Sequence, residues 1–249
     1  MLSPPPHRGS QSPLVATRPT HRNVFLRLLV ASLAVALLPV IWPQLDLAVA
    51  GFFLQPQAPI NPSRWPWVWI DYVNEYTPDV FRALALLSLA SWIALSLLPR
   101  WRRTGLALTS AFLALSLTLG PGVVTWSLKE LTLRARPFDV TQFGGSRQFT
   151  PAFKVTEQCS DNCAFPSGHT ACGFFFASIM LLNPRRQRRW IVLGLGAGAL
   201  VALARMSVGA HWLSDVLWAL PITLLSSGLV WRVLGFFYPI NPRPADADA

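Results

Sequence analysis

Six apolar runs separated by polar or basic chain constrain this sequence more than any other feature. They cover residues 24–42, 81–98, 104–126, 168–183, 190–207 and 212–234, and are 16 to 23 residues long. About 20 apolar residues carry a helix across the hydrocarbon core of a bilayer. Lipid offers the backbone no water, so single runs of this kind cross it as helices. The pattern predicts an all-α, polytopic membrane helix bundle with six transmembrane helices and both termini cytoplasmic. The fourth and fifth runs are short, so their outer ends are expected to be recessed, with the connecting chain buried in protein.

Charge supports the same class. Only 13% of the residues are charged, against roughly 25% in soluble domains. The chain carries 21 Lys+Arg against 11 Asp+Glu. These basic residues fall in short clusters between apolar runs and form no continuous face, which argues against nucleic acid as a partner. With six spans, one side collects Arg8, Arg18, Arg22, Arg27, Arg100, Arg102, Arg103, the cluster Arg185, Arg186, Arg188 and Arg189, and Arg232 and Arg243. The positive-inside bias makes that side cytoplasmic. Residues 1–23 read as a disordered basic tail rich in Pro and Ser, 24–234 as the membrane domain, and 235–249 as a short C-terminal tail. The first run reads as an uncleaved signal anchor: it exceeds a usual signal core, and Pro43 and Asp46 intervene before the weak cleavage pattern Ala48-Val49-Ala50.

Two long connections then face outward. Residues 43–80 carry Trp65, Trp67, Trp69, Tyr72 and Tyr76, rings suited to the headgroup layer and equally to packing on the bundle. Residues 127–167 are polar and long enough to suggest a functional connection. Within the spans, Gly194 to Gly198 offers small-residue spacing for close helix approach.

The outer ends of the third to sixth runs present Lys129, Arg134, Arg136, Ser167, His169, Arg205, His211 and Asp215. Ionisable groups at membrane depth cost roughly 2.5–3.5 kcal/mol each on insertion scales, so their presence points to function. Lys129 and Arg136 are seven apart and suit an anion with several oxygens, although snorkelling at a membrane edge explains them as well. In Pro166-Ser167-Gly168-His169, Ser167 is a natural N-cap and Gly168 leaves backbone N–H groups open. Such a helix start attracts an anion, and His169 beside it can exchange protons near neutral pH. His211 and Asp215 are four apart, so a helix would bring the carboxylate onto the imidazole; the alternative is a structural pair tying two spans together. Metal ligation by His169, His211 and Asp215 is opposed by the surrounding cations, so no metal or cofactor is expected. The set suits metal-independent phosphate transfer, which relies on positioning and charge stabilisation. Cys159 and Cys163 lie just before Pro166 and either form a short disulfide, as an oxidising exterior favours, or stand as two free thiols.

The residues Lys129-x6-Arg136-Pro137, then Pro166-Ser167-Gly168-His169, then Arg205-x5-His211-x3-Asp215 resemble the three-part signature of the type 2 phosphatidic acid phosphatase family, in its order and spacing. The resemblance covers about residues 81–234 and implies the six-span layout with an outward-facing site. By it, His211 is the nucleophile that forms a phosphohistidine, Asp215 orients it, and His169 protonates the leaving alkoxide. Lys129, Arg136, Ser167, Gly168 and Arg205 would hold the phosphoryl oxygens. Ala204 replaces the Ser that the family often carries there. Arg134 falls outside the motif and is a possible supporting or substrate cation.

The function expected is a lipid phosphatase acting on a phosphomonoester or diphosphate at the outer leaflet of a bacterial inner membrane. Its partners are the bilayer and a lipid phosphate: lipid A, undecaprenyl diphosphate, phosphatidylglycerophosphate or phosphatidic acid. The segment Phe143–Cys163 is similar to loops of bacterial lipid A phosphatases, and Arg147 and Lys154 in it are possible headgroup readers or ordinary solvated charges. A phosphotransferase would use the same His211 intermediate. A non-enzymatic transporter would need polar residues continuing toward the cytoplasm, where the spans are almost purely apolar.

Overall fold

The structure is a computed structural model that describes residues 20–55, 60 and 66–238. Most of both tails, and Trp65, lie outside the described residues. Among those residues the regular secondary structure is helical, without a strand. In chain order the helices are α1 (Thr20–Ile41), α2 (Gln44–Leu54), α3 (Trp69–Leu97), α4 (Gly105–Leu117), α5 (Thr125–Thr132), α6 (Gly168–Ser178), α7 (Gln187–Ser207), α8 (Leu213–Leu217) and α9 (Ala219–Phe237).

Five helical stretches among the described residues are long and apolar enough to cross a bilayer: Arg22–Ile41, Trp69–Leu97, Gly105–Asp139, Pro184–Ser207 and Leu213–Phe237. The sixth expected span is the shorter Gly168–Leu181. At 1.5 Å per residue it reaches about 20 Å, less than the roughly 30 Å of a hydrocarbon core. It lies among its neighbours, its first turns almost wholly buried. The lipid-side surface is apolar, with Leu87, Leu97, Val192 and Phe236 all prominently exposed. An exterior of that kind is stable only where lipid replaces water, and the protein is a multi-pass membrane protein.

The first outer connection differs from the expected loop. Among its described residues are α2 and the opening turns of α3, which begins at Trp69 rather than near residue 81. The polar residues Asp71, Asn74, Glu75 and Asp79 lowered the local hydropathy without ending the helix. Tyr72 and Tyr76 stay exposed and stack at 6.2 Å on one helical face.

Three features position the site. First, α6 and α7 approach so closely that a Cβ on Gly194 would stand 2.2 Å from the Ala177 backbone, and one on Gly198 would stand 2.0 Å from the Phe174 ring. Second, the third span passes through a π-helical stretch, Thr118–Val124, containing Pro121. Proline removes a helical N–H and such bulges absorb the misfit; at the end of the stretch the Thr125 hydroxyl adds a bond to Gly120 O, 3.0 Å away. Third, α5 ends where Leu133 takes a left-handed conformation, φ 45°, and the chain turns into the outer loop. Under that loop lies a small apolar core of Ala50, Ala135, Val140, Ala164 and Trp212.

Candidate active site

Four chain segments deliver cations and imidazoles to one place. Lys129 sits in the last turn of α5 and Arg205 in the last turn of α7. A cation there offsets the carbonyl ends of its own helix. Arg136 follows in extended backbone. The Lys129 ammonium donates to Asn162 Oδ1 at 3.3 Å and to the Cys163 carbonyl. The Arg136 guanidinium donates twice to the Asn162 carbonyl, at 3.0 and 2.6 Å. One loop therefore anchors both side chains. That loop is closed by a disulfide between Cys159 and Cys163, whose Cα atoms are 5.6 Å apart.

Helix α6 begins opposite. Ser167 caps it, its hydroxyl accepting from Thr170 N at 3.3 Å, while Ser167 N donates to Asp215 O at 3.0 Å. Ser167 is fully buried, so it shapes the helix start from behind while Gly168 and His169 stand on the cavity wall.

His211 and Asp215 meet by another route than a shared helical face. His211 precedes α8, whose N-cap is Trp212. The Asp215 carboxylate reaches back to accept from Trp212 N at 2.8 Å, and this capping contact sets its Oδ2 3.5 Å from His211 Nδ1. Gly209, at φ 68°, makes the turn from α7; a Cβ there would also meet Leu54 at 2.8 Å. His211 Nδ1 faces this carboxylate at ion-pair distance, without a hydrogen bond between them. Burial, with Lys129, Arg205 and Arg136 adding to it, holds the His211 imidazole well below the usual histidine range.

Behind the pair lies a buried ionic layer. Arg134 is fully enclosed. Its Nη1 donates to Asp215 Oδ1 at 2.6 Å and to Ser214 Oγ at 2.7 Å; its Nη2 donates to Asp46 Oδ2 at 2.7 Å, and its Nε to the Thr150 carbonyl at 2.8 Å. Asp46 in turn accepts from Ser214 N at 2.7 Å. Arg134 thus orients Asp215 and does not line the cavity, unlike a substrate cation. Arg147 and Lys154 are exposed on the outer loop, away from the cavity wall.

Lys129, Arg136, Gly168, His169, Arg205 and His211 line a single cavity of about 710 Å³. Arg205 Nε is buried without a hydrogen-bond partner, a donor suited to an incoming oxygen. The cavity continues along an apolar wall that includes Leu86, Val123 and Trp126. These same side chains are exposed on the lipid side, so the cavity opens laterally. Two contributors escaped sequence reasoning. Asp46 was legible only as a lone acid in an apolar stretch. Asn74 gave no signal beyond standing four residues before Pro78; its Oδ1 accepts from Arg205 Nη1 at 3.1 Å, and its carbonyl lies 3.2 Å from His169 Nε2.

A concave pocket lined by fixed cations and two imidazoles, with an exposed apolar wall, has the chemistry that suits a phosphate group. Residues 107–238 match the model of the PAP2 superfamily, and the chain belongs to that superfamily. It is 28% identical over 199 residues to the lipid A 4'-phosphatase of Francisella tularensis subsp. novicida, covering 78% of this chain and 88% of that one. To the lipid A 4'-phosphatase of Rhizobium leguminosarum it is 36% identical over 121 residues, 48% of this chain and 50% of that one. The phosphatidylglycerophosphatase B of Escherichia coli K12 is 26% identical over 260 residues, covering 91% and 96%.

Proposed function

We propose that the protein is a metal-independent lipid phosphatase that removes phosphate from a lipid headgroup at the outer leaflet of a bacterial inner membrane, through a phosphohistidine on His211. The observation that carries this reading is the convergence of His169, His211, Lys129, Arg136 and Arg205 on a cavity with a lateral apolar opening. A lipid phosphate fits both parts: its tails stay along the apolar wall while its headgroup enters among the cations. The relatives named above favour a lipid A phosphate, with phosphatidylglycerophosphate next; undecaprenyl diphosphate and phosphatidic acid carry the same chemical handle.

In the first step the His211 Nε2 lone pair attacks phosphorus. The P–O ester bond breaks with its electron pair on the departing alkoxide, which takes a proton from the His169 imidazolium. Positive charge growing on His211 is met by Asp215. In the second step neutral His169 takes a proton from water, the water oxygen bonds to phosphorus, and the P–N bond returns its electrons to His211. Lys129, Arg136, Arg205 and the α6 N–H groups hold the phosphoryl oxygens throughout, where charge develops and fixed donors contribute most. Three fixed cations fill the role that divalent ions play in other phosphoryl-transfer sites.

The test is phosphate release from purified lipid phosphates in detergent, with and without EDTA. Activity is expected to survive EDTA, and His211→Ala is expected to lower kcat on the order of 10³-fold or more, the scale of a lost nucleophile. Normal turnover by that variant would remove His211 from the mechanism.

A further inference from the structure

The opening turns of α3 supply the site with something the superfamily match, which begins at residue 107, does not cover. In an α-helix the carbonyl of residue i accepts from the N–H of residue i+4. Pro78 lies inside α3 and has no N–H, so the Asn74 carbonyl loses its partner within the helix. An unpaired carbonyl in an apolar setting is costly. This one faces His169 Nε2 at 3.2 Å. A carbonyl can only accept, so Nε2 bears the hydrogen and Nδ1 is the nitrogen that gains and loses a proton. The Asn74 side chain meanwhile accepts from Arg205 at 3.1 Å. One residue thus touches a proton donor and a phosphate cation, and Pro78 itself stands on the cavity wall.

We propose that Asn74 and Pro78 form a positioning element: the proline frees the carbonyl that fixes the tautomer and orientation of His169, while the Asn74 amide holds Arg205 toward the phosphoryl group. This rests on the phosphatase reading above and gives the two imidazoles different supports. His211 is backed by a carboxylate, which stabilises the positive charge it gains on attacking phosphorus. His169 is backed by a neutral carbonyl, which holds the ring in place and lets its Nδ1 proton go. In the leaving step that proton passes from Nδ1 to the alkoxide, and the Nε2–H stays on Asn74.

The test uses the full chain in detergent with ¹⁵N-labelled histidine, resonances assigned through His169→Gln. Wild-type His169 is expected as the Nε2–H tautomer when neutral; an Nδ1–H ring would overturn the proposal without touching the phosphatase reading. Pro78→Ala returns an N–H that competes for the Asn74 carbonyl. It is expected to mix the His169 tautomers and lower kcat about tenfold, the scale of one hydrogen bond, with KM within about twofold. Asn74→Ala keeps the carbonyl and drops the amide. It should leave the tautomer alone and raise KM, and Ki for inorganic phosphate, by about five- to tenfold, with Asn74→Asp restoring much of the loss. Unchanged tautomer and kcat in Pro78→Ala, or equal loss of kcat in both alanine variants, would sink the positioning role. A wild-type chain that releases no phosphate from any lipid would fail the phosphatase reading instead, leaving the tautomer to judge this one.

Discussion

Arg134 and Arg136 stand two residues apart and do different work. Arg136 lines the cavity, whereas Arg134 is sealed between two buried carboxylates, Asp46 and Asp215. Removing one member of a buried ionic set leaves the others unpaired, at a cost of about 3–5 kcal/mol. Arg134→Ala is therefore expected to lose stability of that order, read as thermal unfolding in detergent. Arg136→Ala should melt near the wild type and lose activity; equal melting losses in both would contradict the division. His211 sets a second expectation. Its imidazole is held well below the ordinary value of 6.5, by burial first and the nearby cations next. It therefore stays unprotonated as pH falls through 6.5, the state that the proposed nucleophile requires. The acid limb of kcat/KM belonging to His211 should lie below pH 6.5; a limb at or above it would place His211 outside this environment. The same shift has a stability consequence of fixed sign. The unfolded chain takes up the proton first, so the buried neutral ring costs stability as pH drops below 6.5 toward the folded value.

The elements make the site through their ends. Lys129 and Arg205 occupy C-terminal turns, Gly168 an N-terminal one, and His211 the short passage between α7 and α8. That passage depends on Gly209. A residue with a Cβ pays roughly 1–2 kcal/mol in the left-handed region, and here the Cβ would also press on Leu54. Gly209→Ala is expected to destabilise the fold by at least that amount and to lower kcat, because the turn aims His211. A variant that melts and turns over like the wild type would show the turn to be tolerant. Apolar run length was a good guide to α1, α4, α7 and α9 and a poor one to α3, whose outer turns carry Asp71, Asn74 and Glu75. Hydropathy averages over a window, whereas a helix continues as long as its backbone bonds are made. The His211–Asp215 spacing suggested a helical face, yet the contact comes from a helix cap. Spacing alone does not distinguish the two.

At the scale of the whole molecule, the cavity joins a cationic end to an apolar wall exposed to lipid. Leu86 contributes to that wall and is 65% exposed. Leu86→Trp should slow hydrolysis of a long-chain lipid phosphate severalfold while leaving a short-chain, water-soluble phosphate ester nearly unaffected. Equal effects on both would mean that substrate does not enter along this side. The assembly also explains what the sequence withheld. Asp46 meets Arg134 across 88 positions, and Asn74 meets Arg205 across 131; no local pattern marks such pairs.

The sequence by itself determined that the chain is a membrane helix bundle and which residue types are present for phosphate chemistry. Transfer to lipid and intrinsic reactivity belong to single residues and short runs, so both can be read along the chain. Only the tertiary structure decided which cation lines the cavity and which is neutralised, and which group each imidazole faces. Those outcomes depend on partners brought from other helices, and on how completely water is removed once the helices pack.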